Sequence, residues 1–267
     1  MASAHSNSPS HTQLQAPQSL LNKVALITGA GQGVGQGIAL ALAEQGARIA
    51  VAGRTPAKLQ HTCDLIRERG GEALALTCNV LEAAHLEPLV QQVLDGFGRL
   101  DILVNNAQEM CLGNLLELSD EQLERGWQSG PMATLRLMKL CYPHLKNGGC
   151  IVNLASTAAK RWDSSGYGGY AAVKEAIRAL THSAACEWAK DGIRSNVILP
   201  LAASPGLQWW MDNNPAESQA FIRSLPMQRV GDCEQDIGRF VALLCSDQCA
   251  YINGQSIAID GGQAYMG

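Results

Sequence analysis

The chain has 267 residues, of which 46% are hydrophobic and 16% charged, and its formal net charge is -4. This composition is that of an ordinary globular protein and lacks the basic excess expected of a nucleic-acid-binding protein. The nine cysteines show neither CxxC pairing nor histidine-ligand spacing, so we expect no metal and predict reduced thiols in a cytoplasmic protein.

The first twenty residues differ in composition from the rest of the chain. Residues 1–20 are rich in Ser, His, Gln and Pro and contain no apolar run resembling a signal-peptide core. We therefore predict a disordered tail over 1–20 and a single domain over 21–267. No apolar stretch approaches the length that a membrane-spanning helix needs, so we expect no interaction with a membrane.

Short β-branched runs alternate with longer helical segments from Lys23 onward, a pattern typical of a parallel sheet with crossover helices. The sequence therefore predicts an α/β fold. The predicted strands are Val24–Thr28, Arg48–Ala52, Ala73–Thr77, Ile102–Val104, Ile151–Leu154, Ser195–Leu199 and Ser256–Ile259. The predicted helices are 34–45, 56–69, 81–97, 118–145, 169–190 and 233–245.

The interval 200–227 interrupts this alternation. A stretch of that length between a strand and a helix more often has a function than serves only as a connection, so we predict a substrate lid there. The alternative is a surface excursion that Trp209 and Trp210 anchor to the body of the domain.

A glycine-rich turn, TGAGQGVG, follows the first predicted strand and precedes an apolar helix. Glycines permit a tight turn and let the backbone approach a pyrophosphate, whose charge the amides at the helix N-terminus stabilise. The placement of the turn in the first βα unit predicts a dinucleotide site rather than a chance glycine turn. The cofactor-binding residues predicted in this turn are Gly29, Gln32, Gly33, Val34 and Gly35.

The second predicted strand ends in AGRT, the region that usually separates NAD from NADP binding. An acid there binds the ribose 2′-hydroxyl of NAD, whereas an arginine accommodates the 2′-phosphate of NADP. The segment lacks an acid and contains Arg54, so the sequence predicts NADP (NADPH) and disfavours NAD. The alternative for Arg54 is a solvated loop charge.

Tyr170 and Lys174 lie four residues apart in the predicted helix GGYAAVKEAIRAL, and Ser156 lies upstream, just after the fifth strand. Residues at this spacing share one helix face, so a phenol and an ammonium would project into one cleft. A cation beside a phenol favours the phenolate. We therefore expect a lowered pKa for Tyr170 and proton exchange closer to neutral pH.

These motifs, taken in order with Asn105-Asn106-Ala107, closely resemble the short-chain dehydrogenase/reductase family. The resemblance runs from about Lys23 to the near-terminal Asp260-Gly261-Gly262. It implies a Rossmann-type doubly wound parallel sheet of seven strands with helices on both faces, in a single domain. It also implies hydride transfer between a nicotinamide cofactor and a small-molecule carbonyl or alcohol, in a homodimer or homotetramer.

The resemblance also implies roles for individual residues. Tyr170 would be the general acid in reduction and the base in oxidation, and Ser156 would hydrogen-bond the substrate oxygen. Lys174 would bind the nicotinamide ribose and favour the phenolate. Tyr170 and Lys174 would thus contact the cofactor, together with Asn79, Val80, Asn105, Ala107 and Pro200.

Three positions depart from the family pattern. Gly130 stands where the family usually carries a catalytic asparagine, and Gln108 and Leu201 replace glycines beside the expected site. We hypothesise that Gly130-Pro131 preserves the helix kink of the family by other means, because proline removes a helical hydrogen bond. The bulk of Gln108 and Leu201 is compatible either with a narrower pocket or with altered chemistry.

The leading prediction is an NADP(H)-dependent oxidoreductase of the ketoreductase type, acting on a bulky, partly apolar carbonyl or secondary alcohol. The alternative is a protein of the same fold that acts as a non-redox catalyst, such as a cyclase or dehydratase, or as a nucleotide-binding regulatory protein. The intact set of Ser156, Tyr170 and Lys174 favours the oxidoreductase, because a binding protein has little need of all three.

Overall fold

A computed structural model of the chain describes residues 18–160 and 164–264. Its centre is a seven-stranded sheet in the order β3-β2-β1-β4-β5-β6-β7, in which all neighbouring strands are parallel. The strands are β1 (Val24–Thr28), β2 (Arg48–Gly53), β3 (Ala73–Thr77), β4 (Ile102–Asn105), β5 (Cys150–Leu154), β6 (Arg194–Pro200) and β7 (Ser256–Ile259). The predicted doubly wound Rossmann-type sheet is confirmed.

Helices cover both faces of this sheet. The α-helices of the described residues are α1 (Gly33–Glu44), α2 (Pro56–Glu68), α3 (Leu86–Phe97), α4 (Asp120–Trp127), α5 (Ala133–Leu145), α6 (Gly168–Trp188), α7 (Pro205–Asn213), α8 (Pro215–Ser224) and α9 (Arg239–Cys245). Successive residues of a strand point to opposite faces. Ala25 and Ile27 of β1 accordingly pack with α1, α2 and α9, whereas Val24 and Leu26 pack with α3 and α5. Burial on both faces explains why the strand sequences are nearly continuous apolar runs.

The predicted helix 118–145 contains a defect at its middle. Between α4 and α5 the backbone forms a π-helical turn over Gln128–Met132, with Pro131 inside it. Proline lacks an N–H, and the wider π turn accommodates the missing hydrogen bond. A Cβ atom on Gly130 would lie 2.8 Å from Cγ1 of Val173, so this turn presses directly against α6. The irregularity expected at Gly130-Pro131 is therefore present.

The interval 200–227 contains two short helices, α7 and α8, that were not predicted from the sequence. Each begins with a proline, which is favoured in the first helical turn, and the Ser204 Oγ caps α7 by accepting from the Leu207 N–H at 3.4 Å. The rings of Trp210 and Phe221 meet edge to face with centroids 5.9 Å apart and join the two helices.

The described chain starts within the segment predicted as a tail, of which residues 1–17 lie outside the description. Leu20 is fully buried, and its N–H donates to the Gln45 carbonyl at 2.9 Å, so this end of the predicted tail packs against the domain. None of the described helices combines the length and apolar character required to cross a membrane.

The packing of α1 against the segment before α9 leaves no room for a side chain at Gly37. A Cβ atom there would overlap the backbone carbonyl of Cys233. We expect Gly37→Ala to lower the free energy of unfolding by about 1–3 kcal/mol, because the two segments must separate. Urea denaturation monitored by circular dichroism measures this loss.

Gly206→Ala is the matched control for this prediction. No atom lies within 4 Å of a Cβ built on Gly206. Because alanine has a higher helix propensity than glycine, this variant should be as stable as the wild type or more stable by up to about 1 kcal/mol. Equal stability of Gly37→Ala and Gly206→Ala would contradict the tight packing.

Candidate active site

The glycine-rich turn after β1 is fixed to the end of β4 by one amide side chain. The Nδ2 atom of Asn106 donates to the carbonyls of Thr28 at 2.9 Å and Gly29 at 3.1 Å. Gly29 has a φ of 68°, and a Cβ on Gly29 or Gly35 would lie 2.6 or 2.5 Å from the same nitrogen. Only glycine fits both positions. No role was predicted for Asn106 from the sequence, although its place in Asn-Asn-Ala was the available signal.

A cleft of about 510 Å³ lies along this turn. Most of the predicted cofactor residues line it: Gly29, Gln32, Gly33, Val34, Arg54, Asn79, Val80 and Ala107. Thr55 and Lys58 line it as well, although neither was predicted from the sequence. Asn105 does not, because its side chain is buried in the sheet and its Nδ2 atom donates to Oδ1 of Asn153 at 2.8 Å. Gly35 is buried in the turn itself.

One end of this cleft carries two cations. Arg54 follows β2 and pairs with Glu109 through Nη1 and Oε1 at 2.5 Å. The ammonium of Lys58, on α2, donates to Oε1 of Gln32 at 2.5 Å. The glycine turn and these cations together fit a dinucleotide, because the turn leaves room for a pyrophosphate and the cations attract phosphate.

A second pocket of about 280 Å³ adjoins the cleft. Ser156, Tyr170, Lys174 and Pro200 line this pocket, so the structure brings the three predicted catalytic residues together. The two cavities share the lining residues Val34, Asn106, Gln108, Met110 and Ser204. Among the residues that the structure describes, no three His, Cys, Asp or Glu side chains cluster closely enough to hold a metal ion.

The three catalytic candidates are held by hydrogen bonds beside the end of β5. Tyr170 forms a side-chain hydrogen bond with Ser156, whose Oγ also accepts from the Ala158 N–H at 3.1 Å. Lys174 is only 4% exposed. Its Nζ atom donates to the Leu154 carbonyl at 2.7 Å and lies 5.5 Å from the centroid of the Tyr170 ring.

The acid–base properties of this group differ from the expectation drawn from the sequence. Burial raises the pKa of Tyr170 to about 12, although the hydrogen bond with Ser156 opposes this rise. Burial lowers the pKa of Lys174 to about 7. The expected lowering of the pKa of Tyr170 was therefore wrong for the protein alone, because desolvation disfavours the phenolate and the ammonium alike. Near neutral pH, Tyr170 is protonated and Lys174 is partly neutral.

Gln108 and Leu201 do add bulk at the site. Leu201 lines the second pocket, with Ser156, Tyr170 and Lys174, and Gln108 lines both cavities. A Cβ on Gly130 would lie 3.2 Å from Cδ of Gln108, so the glutamine side chain covers the backbone of Gly130. Both polar atoms of the Gln108 amide are buried and lack a hydrogen-bond partner in the described structure. Such an amide costs about 1–3 kcal/mol of stability.

Comparisons with known proteins agree with this geometry. The family model described as enoyl-(acyl carrier protein) reductase matches residues 29–264. A 12α-hydroxysteroid dehydrogenase from a Clostridium species is 39% identical over 249 residues, which cover 90% of this chain and 96% of that protein. A hydroxynaphthalene reductase-like protein from Metarhizium anisopliae is 33% identical over 260 residues, covering 93% and 97% of the two chains.

A solved structure of a 7α-hydroxysteroid dehydrogenase, complexed with NADH and 7-oxo glycochenodeoxycholic acid, superimposes with a TM-score of 0.86. It is 29% identical, and the match covers 92% of this chain and 95% of that one. The chain belongs to the short-chain dehydrogenase/reductase family. It is an NAD(P)-dependent oxidoreductase.

The lowered pKa of Lys174 makes stability depend on pH. The folded-state pKa of about 7 lies below the ordinary value of 10.5, so between these values the unfolded chain binds a proton that the folded chain releases. Folding is penalised most below pH 7, and the penalty falls as pH rises. We expect the unfolding free energy of the wild type to increase relative to that of Lys174→Met by about 1 kcal/mol per pH unit between about pH 7 and 9.

Urea denaturation of both proteins without cofactor, at several pH values, measures this difference. Comparing the two proteins cancels the contribution of the buried cysteines, whose thiols ionise more readily in the unfolded state of both proteins. Parallel pH profiles would mean that Lys174 keeps its charge in the folded protein.

Proposed function

We propose that the protein is an NADP(H)-dependent oxidoreductase that interconverts a ketone and a secondary alcohol, with a hydroxysteroid or similarly bulky alicyclic compound as substrate. The observation that carries this proposal is the meeting of Ser156, Tyr170 and Lys174 in a pocket that shares a wall with the dinucleotide cleft. A proton donor and a hydride carrier can then act on one carbonyl group from adjacent cavities.

The bound nicotinamide would supply the hydride in reduction and accept it in oxidation. Tyr170, protonated near neutral pH, donates its proton to the substrate oxygen in reduction and takes it back in oxidation. Ser156 hydrogen-bonds the same oxygen and holds it beside the phenol. The charged form of Lys174 stabilises the phenolate that remains after donation, because Nζ lies 5.5 Å from the ring centroid in a water-poor site.

Apolar residues form part of the lining of the catalytic pocket and support a bulky, partly apolar substrate. These lining residues include Met110, Leu154, Tyr167, Leu201 and Leu207. Both hydroxysteroid dehydrogenases among the relatives are named for bulky, largely apolar molecules, which suit such a lining. Helix α7 contributes Leu207 to this pocket and Pro205 to the cofactor cleft, which supports the role of the interval 200–227 as a substrate lid.

The preference for NADP over NAD rests on the cations at the adenosine end of the cleft. Arg54 and Lys58 both line this end, and the segment after β2 has no acid to bind a ribose 2′-hydroxyl. The 7α-hydroxysteroid dehydrogenase was solved with NADH, so NAD is the alternative cofactor and NADH binding must be measured beside NADPH binding.

We also propose a homodimer or homotetramer in the cytoplasm. Leu115 and Leu116, which precede α4, and Trp127, which ends it, are 78%, 101% and 41% exposed. Exposed apolar side chains of this size often mark a subunit contact. All nine cysteines are free thiols, which supports a reducing compartment.

Tyr170→Phe should lower turnover by about a hundredfold to ten-thousandfold, the range typical of a lost general acid–base catalyst. Nicotinamide absorbance, followed with a panel of oxo- and hydroxysteroids, measures turnover. Tyr251→Phe removes a fully exposed hydroxyl and should retain the activity of the wild type. Unchanged turnover in Tyr170→Phe would contradict the assignment. Substrate conversion without net cofactor oxidation would favour a cyclase or dehydratase instead.

Arg54→Ala should weaken NADPH binding by about tenfold or more and leave NADH binding nearly unchanged, because a charge-assisted hydrogen bond to a phosphate contributes about 1.5–3 kcal/mol. Fluorescence titration with each cofactor measures the two dissociation constants. An equal loss for both cofactors would refute the NADP preference.

A further inference from the structure

The carboxylate of Glu109 lies between two arginines at the cofactor cleft. Its Oε1 atom accepts from Arg54 Nη1 at 2.5 Å, while its Oε2 atom accepts from Arg125 Nε at 3.0 Å and Nη2 at 2.7 Å. The Glu109 side chain is 20% exposed, whereas those of Arg54 and Arg125 are 60% and 52% exposed. Glu109 is thus the most enclosed member of this three-residue network.

The network bridges the cleft from one wall to the other. Arg54 follows β2 and Glu109 follows β4, and β1 lies between those strands in the sheet. The carboxyl ends of parallel strands share one edge, so the ion pair must pass across the end of β1, where the glycine turn begins. Both residues line the dinucleotide cleft.

Glu109 is anchored on its own wall independently of Arg54. Its backbone N–H donates to Oγ of Ser129 at 3.0 Å, and that hydroxyl donates to the carbonyl of Arg125 at 2.8 Å. Arg125 therefore holds the Glu109 carboxylate with its side chain and, through Ser129, holds the Glu109 backbone with its own carbonyl. If Arg54 moves away, the charge of Glu109 remains paired with Arg125.

We propose that Glu109 is a specificity-determining residue that competes with the 2′-phosphate of NADP(H) for Arg54. This inference rests on the proposed role of Arg54 in cofactor binding. Two anions cannot both occupy the contact face of one guanidinium without repulsion. Binding of the phosphate therefore transfers Arg54 from carboxylate to phosphate and leaves Glu109 with Arg125. A cofactor that carries a 2′-hydroxyl offers no replacement anion and gains nothing from the transfer.

Glu109→Gln tests this exchange because it removes the competing charge and keeps the size of the side chain. We expect NADPH to bind about threefold to tenfold more tightly and NADH to change less than about twofold, measured by fluorescence titration or calorimetry. Adenosine 2′,5′-bisphosphate should follow NADPH, and adenosine 5′-monophosphate should follow NADH. Equal changes for both cofactors, or weaker NADPH binding, would overturn the proposal.

The matched control is Glu234→Gln. Glu234 also forms an ion pair with an arginine, Arg69, but does not line the cleft. This variant changes the net charge of the protein by the same amount, so it reports the general effect of charge on cofactor binding. A gain in NADPH affinity equal to that of Glu109→Gln would assign the effect to net charge and overturn the proposal.

Two further variants isolate the contribution of each arginine to the exchange. In the double variant Arg54→Ala/Glu109→Gln, the gain in NADPH affinity seen in Glu109→Gln should disappear, because the guanidinium for which carboxylate and phosphate compete is absent. Persistence of the gain would overturn the proposal.

Arg125→Gln should weaken NADPH binding, because the Glu109 carboxylate then depends on Arg54 alone for its ion pair. Tighter NADPH binding in this variant would contradict the competition.

The experiments distinguish a failure of the proposed NADP preference from a failure of the proposed competition between Glu109 and the 2′-phosphate. Selective loss of NADPH binding in Arg54→Ala, with no gain in Glu109→Gln, would refute the competition and retain the NADP preference. A wild type that prefers NADH, but shifts toward NADPH in Glu109→Gln, would refute the preference and support the competition.

Discussion

The site depends on the way Asn106 joins the ends of β1 and β4. Its amide donates to two consecutive carbonyls of the glycine turn, and the same nitrogen occupies the space that any side chain at Gly29 or Gly35 would need. Asn106 thereby fixes the glycine turn to the end of β4 and leaves no room for side chains at Gly29 and Gly35. Asn106 is also one of the residues that line both the dinucleotide cleft and the pocket of Ser156, Tyr170 and Lys174, so it links the glycine turn to both cavities.

Burial determines the pKa values in the pocket of Ser156, Tyr170 and Lys174 more than the proximity of the phenol and the ammonium does. Lys174 is almost completely enclosed and is held by the Leu154 carbonyl, and Tyr170 is held by Ser156. With both groups desolvated, the protein alone favours a neutral phenol and a partly neutral amine, because burial raises the pKa of Tyr170 and lowers the pKa of Lys174. This state is suited to donating a proton to a carbonyl oxygen, and it avoids a phenolate in the pocket before substrate binds.

Much of the fold was predictable because the signals were local. The seven strands were located to within one residue at each end, since runs such as VALIT carry both β-propensity and burial on two faces. Helices α7 and α8 were missed because they are short and have no long apolar period. The proximity of Tyr170 and Lys174 was predictable from helical spacing, and Ser156 was named through the family resemblance. The pKa values were not predictable, because burial arises from residues distant in sequence. In the cofactor cleft, likewise, the pairing of Arg54 with Glu109 depends on the order of strands in the sheet, which brings two distant segments together.

Gln108 and Gly130, two of the three departures from the family pattern, are in contact with each other. The glutamine occupies the volume above Gly130, and a side chain on Gly130 would meet both Gln108 and Val173. A larger residue at 130 therefore requires both Gln108 and Val173 to move, and Val173 is the nearer of the two. In evolution or engineering, a side chain at position 130 must be accompanied by changes on two neighbouring segments, the one after β4 that carries Gln108 and helix α6 that carries Val173.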